Sequence, residues 1–107
     1  MAQLNLVFQA LADPTRRAVV ERLSRGPTAT SELAQPFKMA LPSFLQHLDV
    51  LQRSGLVQSR KTGRVRTYEL APNTLKEAED WLASQRSLWE RRLDQLDSFV
   101  EGLKEPE

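Results

Sequence analysis

Residues 39–70 read MALPSFLQHLDVLQRSGLVQSRKTGRVRTYEL, and this stretch decides the fold. Its first part has a helical period. At about 100° per residue, Phe44, Leu48 and Leu51 fall on one stripe, which predicts a core-facing side. Ser43, Gln46, Val50 and Arg53 fall on the far side, with His47 and Leu45 on the two borders. Pro42 suits the first helical position, where its missing N–H would have no partner. Gly55 suits the stop, where a left-handed residue is tolerated. From Val57 to Lys61 and from Arg64 to Leu70 the period changes to two. These runs predict two short strands joined at Thr62-Gly63.

A helix followed at once by a basic hairpin is the layout of a winged helix-turn-helix, in which the helix enters a DNA major groove and the hairpin leans on the backbone. Ser and Gln are hydrogen-bonding groups that can read base edges. Between Leu51 and Tyr68 stand Arg53, Arg60, Lys61, Arg64 and Arg66, with no acid among them. A single-sign run at a hairpin tip suits phosphate contact, since each neutralised phosphate releases counterions. The same charges would also discourage strand-to-strand aggregation.

Outward from this core, residues 3–11 place Leu4, Val7, Phe8 and Leu11 at helical spacing, predicting a short amphipathic helix. Asp13 before Pro14 predicts a capped start to a second helix, ending near Ser24 before Gly26-Pro27. Its arginines Arg16, Arg17, Arg22 and Arg25 are expected in solvent. Thr30 is the expected cap of a short third helix, which Pro36 curtails. Residues 35–41 form the turn, with Phe37 pinned inward. After Pro72, Asn73 or Thr74 is expected to cap a long helix to about Gly102. There Leu75, Leu82, Trp89, Leu96 and Leu103 recur every seven residues. Such a helix, roughly 40 Å long, is longer than the body of the domain can cover, so its apolar face needs a partner.

Several blocks together resemble the ArsR-type winged-helix regulators. They are Ala10-Leu11-Ala12-Asp13-Pro14-Thr15-Arg16-Arg17, Ser31-Glu32-Leu33-Ala34, the run from His47-Leu48 to Gly55-Leu56-Val57, and Gly63-Arg64 with Tyr68 and Leu70. The resemblance covers roughly residues 4–72. It implies a mainly α fold with a small β-hairpin: a winged helix-turn-helix over 1–72 and a dimerisation helix over 73–107. The chain departs from the family pattern at Ala40, where a Ser usually caps the reading helix, and at Leu45, where a polar residue is common. The candidate contacts with double-stranded DNA are Thr30, Ser31, Pro42, Ser43, Gln46 and His47, with Arg60, Lys61, Arg64 and Arg66 on the wing. The candidate contacts with a second copy are Leu4, Val7 and Phe8 near the start, and Trp81, Leu82, Leu88, Trp89, Leu96 and Phe99 in the last helix.

Composition is consistent with this reading. At 107 residues, 27% charged and 40% hydrophobic, the chain has ordinary globular proportions. Net charge is +1, yet residues 1–72 carry ten basic against five acidic groups, and residues 73–107 carry five against nine. The basic part is the part that would meet a polyanion. Zero cysteines and one histidine leave no ordinary thiolate or imidazole metal set, so no metal or cofactor is expected. No Gly-rich phosphate loop or Cys nucleophile points to an enzyme, and none is expected. No signal peptide and no membrane segment are expected, so the expected location is the cytoplasm. The expected function is a homodimeric, sequence-specific DNA-binding regulator, most simply a repressor, with any effector unknown. The alternative is a winged-helix module that binds protein and never reads DNA.

Overall fold

The computed structural model describes residues 2–104. The elements run α1 (Ala2–Leu11), α2 (Pro14–Leu23), β1 (Thr28–Ala29), α3 (Thr30–Ala34), α4 (Leu41–Arg53), β2 (Val57–Thr62), β3 (Val65–Leu70) and α5 (Pro72–Lys104). They divide into two compact units, one reaching Lys76 and one starting at Glu77.

In the first unit the predicted stripe of α4 is the centre of the core. Phe44, Leu48 and Leu51 are at most 1% exposed. Burying each such side chain stabilises the fold by roughly 1.5–3 kcal/mol. Phe37, from the turn before α4, sets its ring centroid 5.2 Å from that of Phe44. Val19 and Leu23 of α2, Leu33 of α3, Leu56 and Tyr68 are also buried. Val7 was expected at an interface between copies. It is instead 2% exposed and belongs to this core, because it shares the inward side of α1 with Ala10. Leu4 and Phe8 are half-buried.

Helix ends follow local chemistry. Asp13 caps α2 by accepting the Arg16 N–H on Oδ2 at 3.1 Å. Ala40 occupies the cap position of α4 and offers no side-chain hydrogen bond, so α4 forgoes a cap commonly worth about 1 kcal/mol. Helix α4 starts one residue before Pro42, which still sits in its first turn. It ends at Arg53 with Ser54 as its C-cap, and Gly55 just beyond has a φ of +84°, the left-handed conformation glycine permits. A Cβ there would stand 3.1 Å from Thr74 Oγ1. Buried Ser54 donates to Leu51 O and accepts from the Leu56 N–H, which fixes the exit into β2.

Four expectations need correction. Thr30 does not cap α3; Ala29 holds that position without a side-chain bond, and Thr30 Oγ1 donates to Arg66 O at 3.1 Å. The hairpin turn is Gly63-Arg64, one residue later than expected, since Thr62 pairs with Val65. Gly63 has φ +63°, and among the described residues no other residue type has positive φ, so glycine takes the first turn position, as a type II′ turn requires. The sheet has a third strand: β1 pairs antiparallel with β3, giving the order β1-β3-β2. Helix α5 starts at Pro72, so Asn73 and Thr74 lie inside it rather than capping it.

In the second unit, every residue from 79 to 103 is exposed. Trp89 is 62%, Leu96 57%, Phe99 64% and Leu103 71% exposed. Trp81, Leu82 and Leu88 are exposed as well. Helix α5 as a whole has 33 residues, about 50 Å at 1.5 Å per residue.

Candidate nucleic-acid interface

The amphipathic pattern that buries Phe44, Leu48 and Leu51 turns Pro42, Ser43 and Gln46 outward, and all three are exposed. Leu41 and Leu45 are also exposed, at 54% and 40%. Helix α4 thus presents polar groups in the middle of its outer face and apolar ones along the edge nearer to Gln52. Gln52 faces the wing, because its Nε2 donates to Ser59 Oγ at 2.9 Å.

Strand pairing decides which basic residues act together. Lys61 is the Cα partner of Arg66, while Arg60 is opposite Thr67. Side chains alternate along a strand, so Lys61 and Arg66 share one face and Arg60 lies on the other. Arg60 Nη2 is 3.8 Å from Glu69 Oε1, which also accepts from Gln58 Nε2 at 3.0 Å. Arg66 donates to Ser59 Oγ at 2.8 Å, so one hydroxyl joins wing and helix. Two like charges directly opposite each other are unfavourable in isolation. Among the described residues Lys61 and Arg64 have no ion-pair partner, and both are exposed. The Thr30 bond to β3 draws the start of α3 against the wing. Ala29, Thr30, Ser31, Arg64, Val65 and Arg66 line an open groove of about 230 Å³. Thr30 and Ser31 therefore converge with Arg64 and Arg66, whereas Arg60 stands apart.

His47 is anchored from behind in a way the sequence did not signal. Arg16 was expected in solvent but is half-buried. Its Nε donates to Ala10 O at 2.8 Å and its Nη2 to Gln9 O at 3.0 Å. Its Nη1 lies 3.1 Å from His47 Nδ1. Asp13 Oδ2 is 3.8 Å from the same ring nitrogen. Burial works to raise the Asp13 carboxyl pKa. The Arg16 amide bond, the facing His47 and the Arg16 guanidinium nevertheless hold it below the usual carboxylate range. Arg17 likewise donates to Leu11 O at 2.8 Å, so consecutive arginines close the end of α1.

A short helix, a turn and a reading helix, followed by a basic hairpin, define a winged helix-turn-helix DNA-binding protein. Comparison with known proteins agrees. A family model described as a helix-turn-helix domain matches residues 11–60. The chain is 50% identical over 68 residues to the HTH-type transcriptional regulator Rv2034 of Mycobacterium tuberculosis, a match spanning 64% of each chain. It is 29% identical over 79 residues to the transcriptional repressor SdpR of Bacillus subtilis, covering 74% of this chain and 88% of that one. The crystal structure of the ArsR family transcriptional regulator RHA00566 superposes with a TM-score of 0.79 at 57% identity, over 83% of this chain and 92% of that one. The chain belongs to the ArsR family of transcriptional regulators. Among the described residues no group of three or more His, Cys, Asp or Glu could hold a metal ion, and no helix is long and apolar enough to cross a membrane.

Proposed function

We propose that the chain acts as a homodimeric repressor that reads a two-fold operator with a pair of α4 helices, one in each of two successive major grooves. Ser43, Gln46 and His47 meet base edges. Pro42 sets the helix start against the backbone, and Thr30 and Ser31 meet phosphate at the head of α3. Lys61, Arg64 and Arg66 hold the flanking backbone, and Arg60, paired with Glu69, contributes less. The observation that carries this reading is the wing itself. Lys61 faces Arg66 across the hairpin with no acid between them, an arrangement that a polyanion relieves.

The dimer reading is supported by α5, whose apolar side chains Leu82, Leu88, Trp89, Leu96 and Phe99 are all at least half exposed. A patch of this kind marks an interaction surface. A second α5 is the simplest cover, because a two-fold interface needs only one self-complementary surface. Repression is supported by the likeness to a named repressor. We place the chain outside the metal-sensing members, since it has no cysteine and its single histidine lies in the reading helix. Acting on the chromosome, it works in the cytoplasm. Salt-titrated binding to the promoter of its own gene tests the reading. A steep linear fall of log affinity with log salt, and a preference over scrambled DNA, are expected. A flat salt response would leave a protein-interaction module in its place.

A further inference from the structure

The contact between Arg16 and His47 has only one chemically possible sense. A guanidinium has five N–H donors and no acceptor, and it does not lose its proton in a protein. At 3.1 Å, Arg16 Nη1 must donate, so His47 Nδ1 must be the acceptor and carry no hydrogen. A neutral imidazole with bare Nδ1 has its proton on Nε2. Among the described residues no partner engages Nε2, and no buried side-chain nitrogen or oxygen lacks one, so Nε2 keeps solvent-accessible surface on a side chain that is 23% exposed. His47 lies one turn beyond exposed Ser43 on the same flank of α4.

Arg16 cannot easily turn away. Two further bonds, to Ala10 O and Gln9 O, hold it against the end of α1. Asp13, 3.8 Å from the ring, favours the opposite arrangement, because a carboxylate would accept a hydrogen from Nδ1. Arg16 and Asp13 therefore compete over one ring nitrogen, and the hydrogen-bonded geometry belongs to Arg16. Which nitrogen carries the proton decides whether α4 offers DNA a donor or an acceptor at this position.

We propose that Arg16 is a positioning residue for DNA reading: it fixes the His47 tautomer so that α4 presents an Nε2–H donor. The ligand group is then a hydrogen-bond acceptor on the operator, either a purine N7 or a phosphate oxygen. The inference rests on the DNA-reading function proposed above, but its first test needs no DNA. The chain has one histidine, so ¹⁵N-histidine labelling of the full chain gives one ring to assign. Long-range proton–nitrogen correlation at alkaline pH should show a protonated Nε2 and a bare Nδ1. In Arg16→Met, Asp13 is left as the ring's polar neighbour, and the proton should move toward Nδ1. A wild-type ring protonated at Nδ1, or an unchanged tautomer in Arg16→Met, overturns the assignment.

The second test measures operator affinity. Arg16→Met should weaken binding about five- to tenfold per half-site, the value of one hydrogen bond, and so about 25- to 100-fold for the dimer, which carries the substitution twice. His47→Asn, which removes the distal nitrogen, should lose a similar factor. His47→Gln carries a donor near the Nε2 position that needs no tautomer, so in that background Arg16→Met should cost nothing further. An equal loss from Arg16→Met in both backgrounds would make Arg16 a purely structural clasp and overturn the proposal. Should Arg16→Met fail to fold, the wild-type spectrum and the comparison of His47→Asn with His47→Gln still decide. Uniform substitution of 7-deazapurines or of neutral methylphosphonates in the operator separates the two acceptor sources. If His47→Asn costs the same on all these DNAs as on the natural operator, no DNA acceptor is engaged and the proposal fails. A wrong tautomer would leave the salt dependence of binding intact, so failure here is distinct from failure of the DNA-reading function.

Discussion

Replacing Arg64 by Ala should lower the salt dependence of DNA binding by a calculable amount. Arg64 occupies the second position of the turn after Gly63, is exposed, and has no acid beside it among the described residues. Its positive charge is therefore available to phosphate. One phosphate contact on B-DNA contributes about −0.9 to the slope of log affinity against log salt. A dimer carries the substitution twice, so the slope should become shallower by about 1.8. Between about 50 and about 200 mM salt, the affinity of the variant should then fall about tenfold less than that of the wild type. Fluorescence anisotropy with a labelled duplex, titrated at four or more salt concentrations, reads this directly. Operator and random DNA should be affected alike, because a phosphate contact has no sequence code. Gln46→Ala is the contrasting control. It should leave the slope alone and relax the preference for one base per half-site by about 1–3 kcal/mol. A folded Arg64→Ala variant with the wild-type slope would refute the wing assignment, and a change near 0.9 would point to one wing per bound DNA.

Lys61→Ala should weaken DNA binding yet raise the thermal stability of the free protein at low salt, since removing one of two facing cations relieves about 0.2–1 kcal/mol; a melting temperature that falls would show the pair is not repulsive. Trp89→Asp with Leu96→Asp should give monomers or aggregates by sedimentation, and a well-folded dimer of that variant would put the interface elsewhere. Asp13→Ala should cost about 1 kcal/mol near neutral pH as a lost helix cap. The folded-state pKa of Asp13 lies below the ordinary 3.8, so the carboxylate's contribution is present above that value and lost as pH falls through the folded one. The gap between wild type and variant should therefore close in acid, and urea titrations showing a constant gap from pH ~7 to ~3 would contradict this. Micromolar zinc should leave operator affinity unchanged; a chelator-reversible shift would reveal a metal site.

Sequence periodicity carried the fold where an element is long enough to display it. The stripe of Phe44, Leu48 and Leu51 and the alternation from Val57 onward each span several periods, so α4 and the wing were legible. Strand β1 has two residues, Thr28 and Ala29, too few to alternate, and it exists because β3 offers a free edge. The turn register slipped by one because Gly63 serves equally well as the first or second turn residue by composition; only pairing of Thr62 with Val65 decides. Thr30 has a good capping side chain, but the Arg66 carbonyl, 36 residues away, takes its hydroxyl instead. Alternation alone puts Arg60 and Lys61 on opposite faces, but the register is what sets Lys61 across from Arg66, and the Arg60–Glu69 contact depends on the folded hairpin. The Arg16–His47 contact spans 31 residues and has no local pattern.

The long exposed side of α5 also bears on how a cell would control this protein. When a second copy is what covers that surface, the species that binds DNA is made by association, and its amount follows the square of the chain concentration while monomer predominates. A twofold rise in expression then yields about a fourfold rise in the competent form. Promoter response becomes steeper than single-site binding allows, without any contact between neighbouring DNA sites. The same surface would accept a related chain of matching apolar spacing, so the level of one paralogue could titrate another into mixed pairs with mismatched reading helices.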